Sequence, residues 1–152
     1  MQIQVGDEAP DFELPDQNRQ PVRLSSFRGE KNVVVVFYPL AFTGTCQGEL
    51  CAIRDTIEDF SSDDVQTLAI SCDSTAVAAK WAAEQGYTFP LLADYWPHGA
   101  TAKSYGVLDE DFGLALRGTF IVDKRGKVAY SVVNGIPDAR DLEEYRAVLR
   151  TL

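Results

Sequence analysis

The residues best placed to do chemistry in this 152-residue chain lie in one short run, Pro39-Leu40-Ala41-Phe42-Thr43-Gly44-Thr45-Cys46. The run follows Asn32 to Tyr38 (NVVVVFY), which is apolar and largely β-branched, the composition of a strand buried on both faces. It precedes a stretch in which Leu50, Ile53, Ile57 and Phe60 recur at helical spacing, predicting a helix from about Thr45 to Phe60. Cys46 therefore falls in the first turn of a helix. Backbone N–H groups there lack intrahelical acceptors and favour an anion. A thiol in that position is expected to ionise more readily than an ordinary cysteine, and the thiolate is the nucleophilic form. The carboxyl end of a strand in an open α/β sheet is also where ligands bind.

Four further residues fit a thiol site. Thr43 places a hydroxyl three residues before Cys46. Pro39 has no N–H and a fixed φ, so it can shape the loop and limit competing water. Arg117 precedes a predicted strand, Thr119 to Asp123, and carries a permanent charge on a rigid fork of donors. Glu49 stands at i+3 from Cys46. A bare carboxylate there opposes ionisation of the thiol, so it makes better sense paired with Arg117 or another cation. Each residue also has a plainer reading. Cys46 shares a helix face with Leu50, Ile53 and Ile57, so burial alone would account for it. Thr43 alone is a helix cap, Arg117 alone a surface charge, and Glu49 alone a solvated helix charge.

The surrounding pattern supplies the elements that must hold these residues. Phe12 to Leu14 and Val22 to Leu24 flank a polar turn and predict a hairpin. Val65 to Cys72 predicts a second buried strand, Thr75 to Gln85 a helix stopped by Gly86, and Phe89 to Leu92 a short strand. His98 to Tyr105 predicts a short helix. Thr119 to Asp123 and Val128 to Val133 predict strands joined by Lys124-Arg125-Gly126. Asp138 to Leu152 predicts a closing helix with Asp138 as its cap. This order gives an α/β sandwich with a mixed sheet. No repeat, low-complexity segment or linker divides the chain, which predicts one domain over residues 1–152. A net charge of −9, with no Lys/Arg cluster, argues against nucleic acid and anionic membrane surfaces as partners. No apolar run is long enough to span a bilayer, and the amino terminus has no signal-peptide pattern. Together with an odd cysteine count (Cys46, Cys51, Cys72), this predicts a cytoplasmic protein with free thiols rather than a disulfide scaffold.

Pro39, Thr43 and Cys46 spell P-x-x-x-[ST]-x-x-C, and Arg117-Gly118-Thr119-Phe120 forms a later arginine motif. On these residues, and on Gly6-Asp7-Glu8-Ala9-Pro10-Asp11-Phe12, the chain resembles the peroxiredoxin family over essentially its full length. Phe42 to Leu50 and Asp94-Tyr95-Trp96-Pro97-His98-Gly99 resemble the actinobacterial alkyl hydroperoxide reductase E type. The resemblance implies a thioredoxin-like fold, its central mixed sheet flanked by helices. It implies reduction of hydrogen peroxide and organic hydroperoxides through a sulfenic acid on Cys46, with no cofactor, metal or haem. Thr43 would then donate to the thiolate and accept from the hydroperoxide, while Arg117 would polarise the breaking O–O bond. The implied reductant is thioredoxin or a mycoredoxin/mycothiol system. The E type implies a homodimer, whereas the bacterioferritin-comigratory type, which Cys51 resembles, implies a monomer.

Cys51 departs from the E-type pattern and resembles the resolving cysteine of the bacterioferritin-comigratory, or Q, type. Geometry states what resolution would require. Residues five apart on an ideal helix have Cα atoms about 8.7 Å apart and side chains about 140° apart. A disulfide needs Cα atoms within about 7 Å. The first turns must therefore unwind after Cys46 is oxidised, which Gly44 and Gly48 make easier. Cys51 falls off the apolar stripe, so an inert exposed thiol is the alternative. Cys72 lies in phase with Leu68 and Ile70, which favours packing. His98 belongs either to the mouth of the site, to a subunit contact or to an ordinary loop. Other classes fit less well. A disulfide reductase wants C-x-x-C, and a zinc module wants four ligands at paired spacing. A redox sensor on the same fold would use the same thiol.

Overall fold

The structure, a computed structural model, describes residues 3–152. Its elements in chain order are β1 (Glu13–Pro15), β2 (Pro21–Arg23), β3 (Asn32–Phe37), α1 (Gly44–Asp55), α2 (Ile57–Phe60), β4 (Val65–Ser71) and α3 (Thr75–Gln85). There follow β5 (Leu91–Ala93), α4 (Ala100–Ser104), β6 (Leu108–Asp109), β7 (Leu114–Ala115), β8 (Arg117–Val122), β9 (Val128–Asn134) and α5 (Leu142–Leu149).

Five strands form the central sheet in the order β5-β4-β3-β8-β9. β3, β4 and β5 run parallel, while β8 is antiparallel to β3 and β9 antiparallel to β8. The mixed sheet expected from the element order is therefore present, with β3 at its centre. The valine run of β3 is buried from end to end because the sheet is covered on both sides. Val33, Val35 and Phe37 join one core with Phe12, Leu14, Tyr105 and Phe120. Val34 and Val36 face the other, with Leu50, Ile53, Trp81 and Tyr145 from α1, α3 and α5. Each fully buried Val contributes on the order of 1.5–3 kcal/mol, so the alternation anchors the strand whose end carries the thiol loop. Among the described residues, no helix is long and apolar enough to cross a membrane.

Several boundaries differ by a residue or two from the sequence expectation, and three of the differences have a visible cause or consequence. The helix predicted to run to Phe60 stops at Asp55, and α2 restarts it one residue later. Thr56 is the break, at φ −126° and ψ 38°. Its hydroxyl donates back to the Ala52 carbonyl (2.8 Å) and accepts from Arg146 (2.9 Å). The closing helix starts at Leu142 with Asp141, not Asp138, as its cap. The Asp141 carboxylate accepts from the Glu143 N–H at 3.0 Å. Residues 138–140 are drawn away because the Arg140 N–H is committed to Glu49, and Asn134 Nδ2 donates to the carbonyls of Asp138 and Ala139. Lastly, β8 starts at Arg117, two residues before the predicted strand, so the arginine sits within the ladder, paired with Asn134.

Candidate active site

The loop from Pro39 to Thr43 carries the chain from the end of β3 to the start of α1. The Asp73 carboxylate, itself accepting from Ser71, receives the Ala41 N–H at 2.9 Å and pins the loop to the end of β4. Phe42 adopts φ +63°, a conformation that L-residues seldom hold without surrounding support. Its ring lies 6.0 Å from that of Trp81. Thr43 is the N-cap residue, with extended backbone.

Cys46 lies in the first turn of α1, on the stripe formed with Glu49, Leu50 and Ile53 at i+3, i+4 and i+7. Arg117 Nη1 donates to Cys46 Sγ at 3.2 Å and to Glu49 Oε1 at 2.6 Å. Arg117 Nε is held by the Ile136 carbonyl at 2.5 Å. The thiol and the two charged residues are all buried, which strengthens each interaction.

Glu49 is a charged residue on a buried stripe, and a second arginine explains how it is tolerated. Arg140 Nε and N–H donate to Glu49 Oε2 at 2.9 and 2.8 Å, and Arg140 Nη2 donates to Oε1 at 2.8 Å. Burial opposes ionisation of Glu49, but the hydrogen bonds and charge of Arg140, with the charge of Arg117, outweigh it. They hold the carboxyl below the usual carboxylate range. Arg140 Nη1 further donates to the carbonyls of Phe37 (2.6 Å) and Gly118 (2.9 Å), where β3 and β8 part. Sequence reasoning missed Arg140. It sits in the polar run Asp138-Ala139-Arg140-Asp141, and nothing in that run separates it from a solvated helix start.

The expected site residues thus converge, with one difference in detail. The Thr43 hydroxyl has a single hydrogen, and it goes to the Leu40 carbonyl at 2.6 Å, not to the sulfur. Its lone pairs remain free to accept from an incoming group. Pro39, Leu40, Thr43, Leu114, Arg117 and Ile136 line a cleft of about 270 Å³ with largely apolar walls. Cys46 has no exposed surface and lies behind this wall rather than in it.

Cys51 is half-buried. It is not the exposed thiol of the alternative reading, because the end of α3 closes over that side of α1. Its S–H donates to Gln85 Oε1 at 3.6 Å, and its sulfur lies 3.4 Å from the Tyr87 hydroxyl. Cys72 is 5 % exposed, and burial, with the charges of Asp94 and Asp73, pushes its thiol up to about 12. It is a packing residue of low reactivity. His98 Nε2 donates to the Gly113 carbonyl at 2.8 Å, and its ring meets Tyr95 edge-on. All three cysteines are free. Among the described residues, no group of three or more His, Cys, Asp or Glu is arranged to hold a metal ion.

Comparisons with known proteins bear on the family and the fold. Residues 5–131 match the model of the AhpC/TSA family. The chain is 47% identical over 150 residues to alkyl hydroperoxide reductase E of Mycobacterium bovis, covering 99% of this chain and 98% of that one. The crystal structure of peroxidoxin BcpB from Mycobacterium tuberculosis superposes with a TM-score of 0.87 at 34% identity, covering 99% of this chain and 98% of that one. Enterococcus faecalis AhpC gives a TM-score of 0.88 at 29% identity, covering 99% and 92%. A buried thiol at a helix start, faced by a strand-borne arginine on a fold of this kind, carries the same conclusion as those matches: the chain belongs to the AhpC/TSA family and is a thiol-dependent peroxidase.

Proposed function

We propose that Cys46 is the residue that attacks the hydroperoxide. The observation that carries this reading is the 3.2 Å contact between Arg117 Nη1 and Cys46 Sγ at the N-terminus of α1. The helix end and the guanidinium both set positive charge beside the sulfur. In the reaction the S–O bond forms as the O–O bond breaks. The released alkoxide or hydroxide takes a proton and leaves as alcohol or water, and Cys46 becomes a sulfenic acid. Arg117 faces the sulfur and can donate to the oxygens as charge moves onto them. Thr43, with a free lone pair, accepts from the hydroperoxide O–H. Pro39 forms part of the cleft wall, and Glu49, clamped by Arg140, fixes the direction of Arg117. The apolar cleft suits organic hydroperoxides as well as hydrogen peroxide. Because Cys46 is fully buried, attack requires the Pro39–Thr43 wall to give way as substrate enters.

Cys51 then resolves the sulfenic acid as an intramolecular disulfide, after α1 unwinds at its start. A dithiol protein of the thioredoxin type, or a mycoredoxin/mycothiol system, returns both thiols. A homodimer and a cytoplasmic location belong to the same reading. Consumption of cumene hydroperoxide with dithiothreitol, followed for wild type and Cys46→Ser, is the test. Activity should vanish in the variant; equal activity refutes the assignment. Mass spectrometry after one equivalent of peroxide should find a Cys46–Cys51 disulfide.

A further inference from the structure

Building on the reading of Cys51 as the resolving thiol, we infer that Gln85 and Tyr87 are positioning residues that cradle Cys51 in the reduced helix and set the rate at which it is released to oxidised Cys46. The cradle is built by the end of α3. Gly86 closes that helix at φ +72°, and the N–H groups of Gly86 and Tyr87 both donate to the Ala82 carbonyl, at 2.8 and 3.1 Å. The turn presents Gln85 and Tyr87, one on each side of the glycine, to the same sulfur.

The Tyr87 ring and the Gln85 backbone are both held in place. The Tyr87 ring meets Trp81 edge-on at 5.2 Å and stacks on Phe89 at 5.3 Å between centroids. Burial, then its bond to Cys51, keeps the phenol protonated and so a donor. The Gln85 backbone carbonyl accepts from Arg54 Nη1 at 2.6 Å, and Trp81 Nε1 donates to Gln47 Oε1 at 3.3 Å. Gln47, Cys51 and Arg54 stand at i, i+4 and i+7, so one face of α1 is bonded along its length to residues 81–87. This seam lies apart from the Cys46–Glu49–Leu50–Ile53 stripe.

The chemistry makes the cradle specific for the thiol. An amide oxygen only accepts, so the S–H donates to Gln85, and the sulfur accepts from the Tyr87 O–H. In resolution, Cys51–SH and Cys46–SOH give a disulfide and water. The S–S bond forms, the S–O bond breaks, and the Cys51 proton leaves with the hydroxide. The disulfide sulfur has no hydrogen left for Gln85. The cradle therefore stabilises the reactant and not the product, and Cys51 must leave it to cross the helix. While it is held, a second hydroperoxide can oxidise Cys46–SOH to the sulfinic acid, releasing alcohol or water. Gln85 and Tyr87 thus set the peroxide level at which the enzyme inactivates.

The full-length wild type, Tyr87→Phe and Gln85→Met proteins are treated with one equivalent of hydrogen peroxide, acid-quenched at intervals and analysed by non-reducing mass spectrometry. Each variant should form the disulfide about two- to tenfold faster, the loss of one hydrogen bond of ordinary net strength. The peroxide concentration giving half sulfinic Cys46 should rise by the same factor. In a Cys51→Ser background Tyr87→Phe should leave the sulfinic yield unmoved, whereas a general softening of α1 would change it. A wild-type disulfide whose rate is unchanged or slowed in both variants overturns the cradle alone. A wild type that forms sulfinic acid and no disulfide overturns the resolving role of Cys51 and the cradle with it.

Discussion

Replacing Arg140 by Met tests whether the buried charge cluster is what holds the site together. The substitution keeps the length and apolar stem of the side chain and removes the guanidinium. It deletes two donors to Glu49 and the donor shared by the Phe37 and Gly118 carbonyls. The backbone N–H of residue 140 and Arg117 remain as partners of the carboxylate. Glu49 is 8 % exposed, so it cannot recover the lost contacts from water without opening the structure. Breaking a buried pair from one side costs about 3–5 kcal/mol. Whole-domain stability is about 5–15 kcal/mol, so the loss is a large share of it. Urea unfolding at pH 7 should show a lowered midpoint with an unchanged slope. Arg140→Lys should fall between, since one ammonium cannot reach both carboxylate oxygens and both strand carbonyls. Glu49 would also turn wholly onto Arg117, and a shift of that guanidinium by about 1 Å should slow oxidation of Cys46 by on the order of 10²-fold. If Arg140→Met unfolds within about 1 kcal/mol of wild type, the pair behaves like an exposed one and the reasoning is wrong.

Glu49→Gln should change how stability depends on pH. The Glu49 carboxyl is held below its ordinary value of 4.5, so its stabilisation is fully present above that value and is lost as pH falls through the folded one. Urea midpoints measured from pH 6 down to pH 3 should therefore fall more steeply in wild type than in Glu49→Gln; parallel curves would contradict this. Arg117→Met should lower the rate of Cys46 oxidation about 10²–10³-fold, measured by stopped flow, and a loss under threefold would remove Arg117 from the mechanism. Iodoacetamide at pH 8 should label Cys51 well before Cys72, whose thiol is pushed up to about 12; peptide mapping that finds equal labelling would count against that ordering.

What could be read from the sequence follows from the range of the physics involved. β3 is legible because the six consecutive apolar residues Val33 to Tyr38 have one good solution, burial on both faces, and the alternation of Val33, Val35 and Phe37 against Val34 and Val36 follows from the pleat. Cys46 is legible because a helix N-terminus is a local feature. Its relation to Thr43 and Pro39 is fixed by three and seven residues of chain. The break at Thr56 is harder to see, because it depends on a hydroxyl that also accepts from Arg146, ninety residues away. The start of α5 is harder for the same reason. Asp138 is as good a cap as Asp141 by type, and the choice falls to Asp141 only because Arg140 is already spoken for by Glu49.

Arg140 shows where local reading ends. Arg117 and Arg140 stand 68 and 91 positions from Glu49 and meet on its carboxylate. No spacing rule links them. The sequence does carry one indirect sign, the carboxylate at i+3 from Cys46 on a stripe that is otherwise apolar. A lone charge there would be expelled or protonated, so its presence already demands cationic partners. Arg117 meets part of that demand, but one of its donors is taken by the Ile136 carbonyl and another is shared with the sulfur. A carboxylate with room for about four hydrogen bonds still lacks acceptable company after Arg117 has contributed one. Counting unmet acceptors on a buried Glu49 therefore calls for a second cation, which Arg140 supplies from the β9–α5 connection.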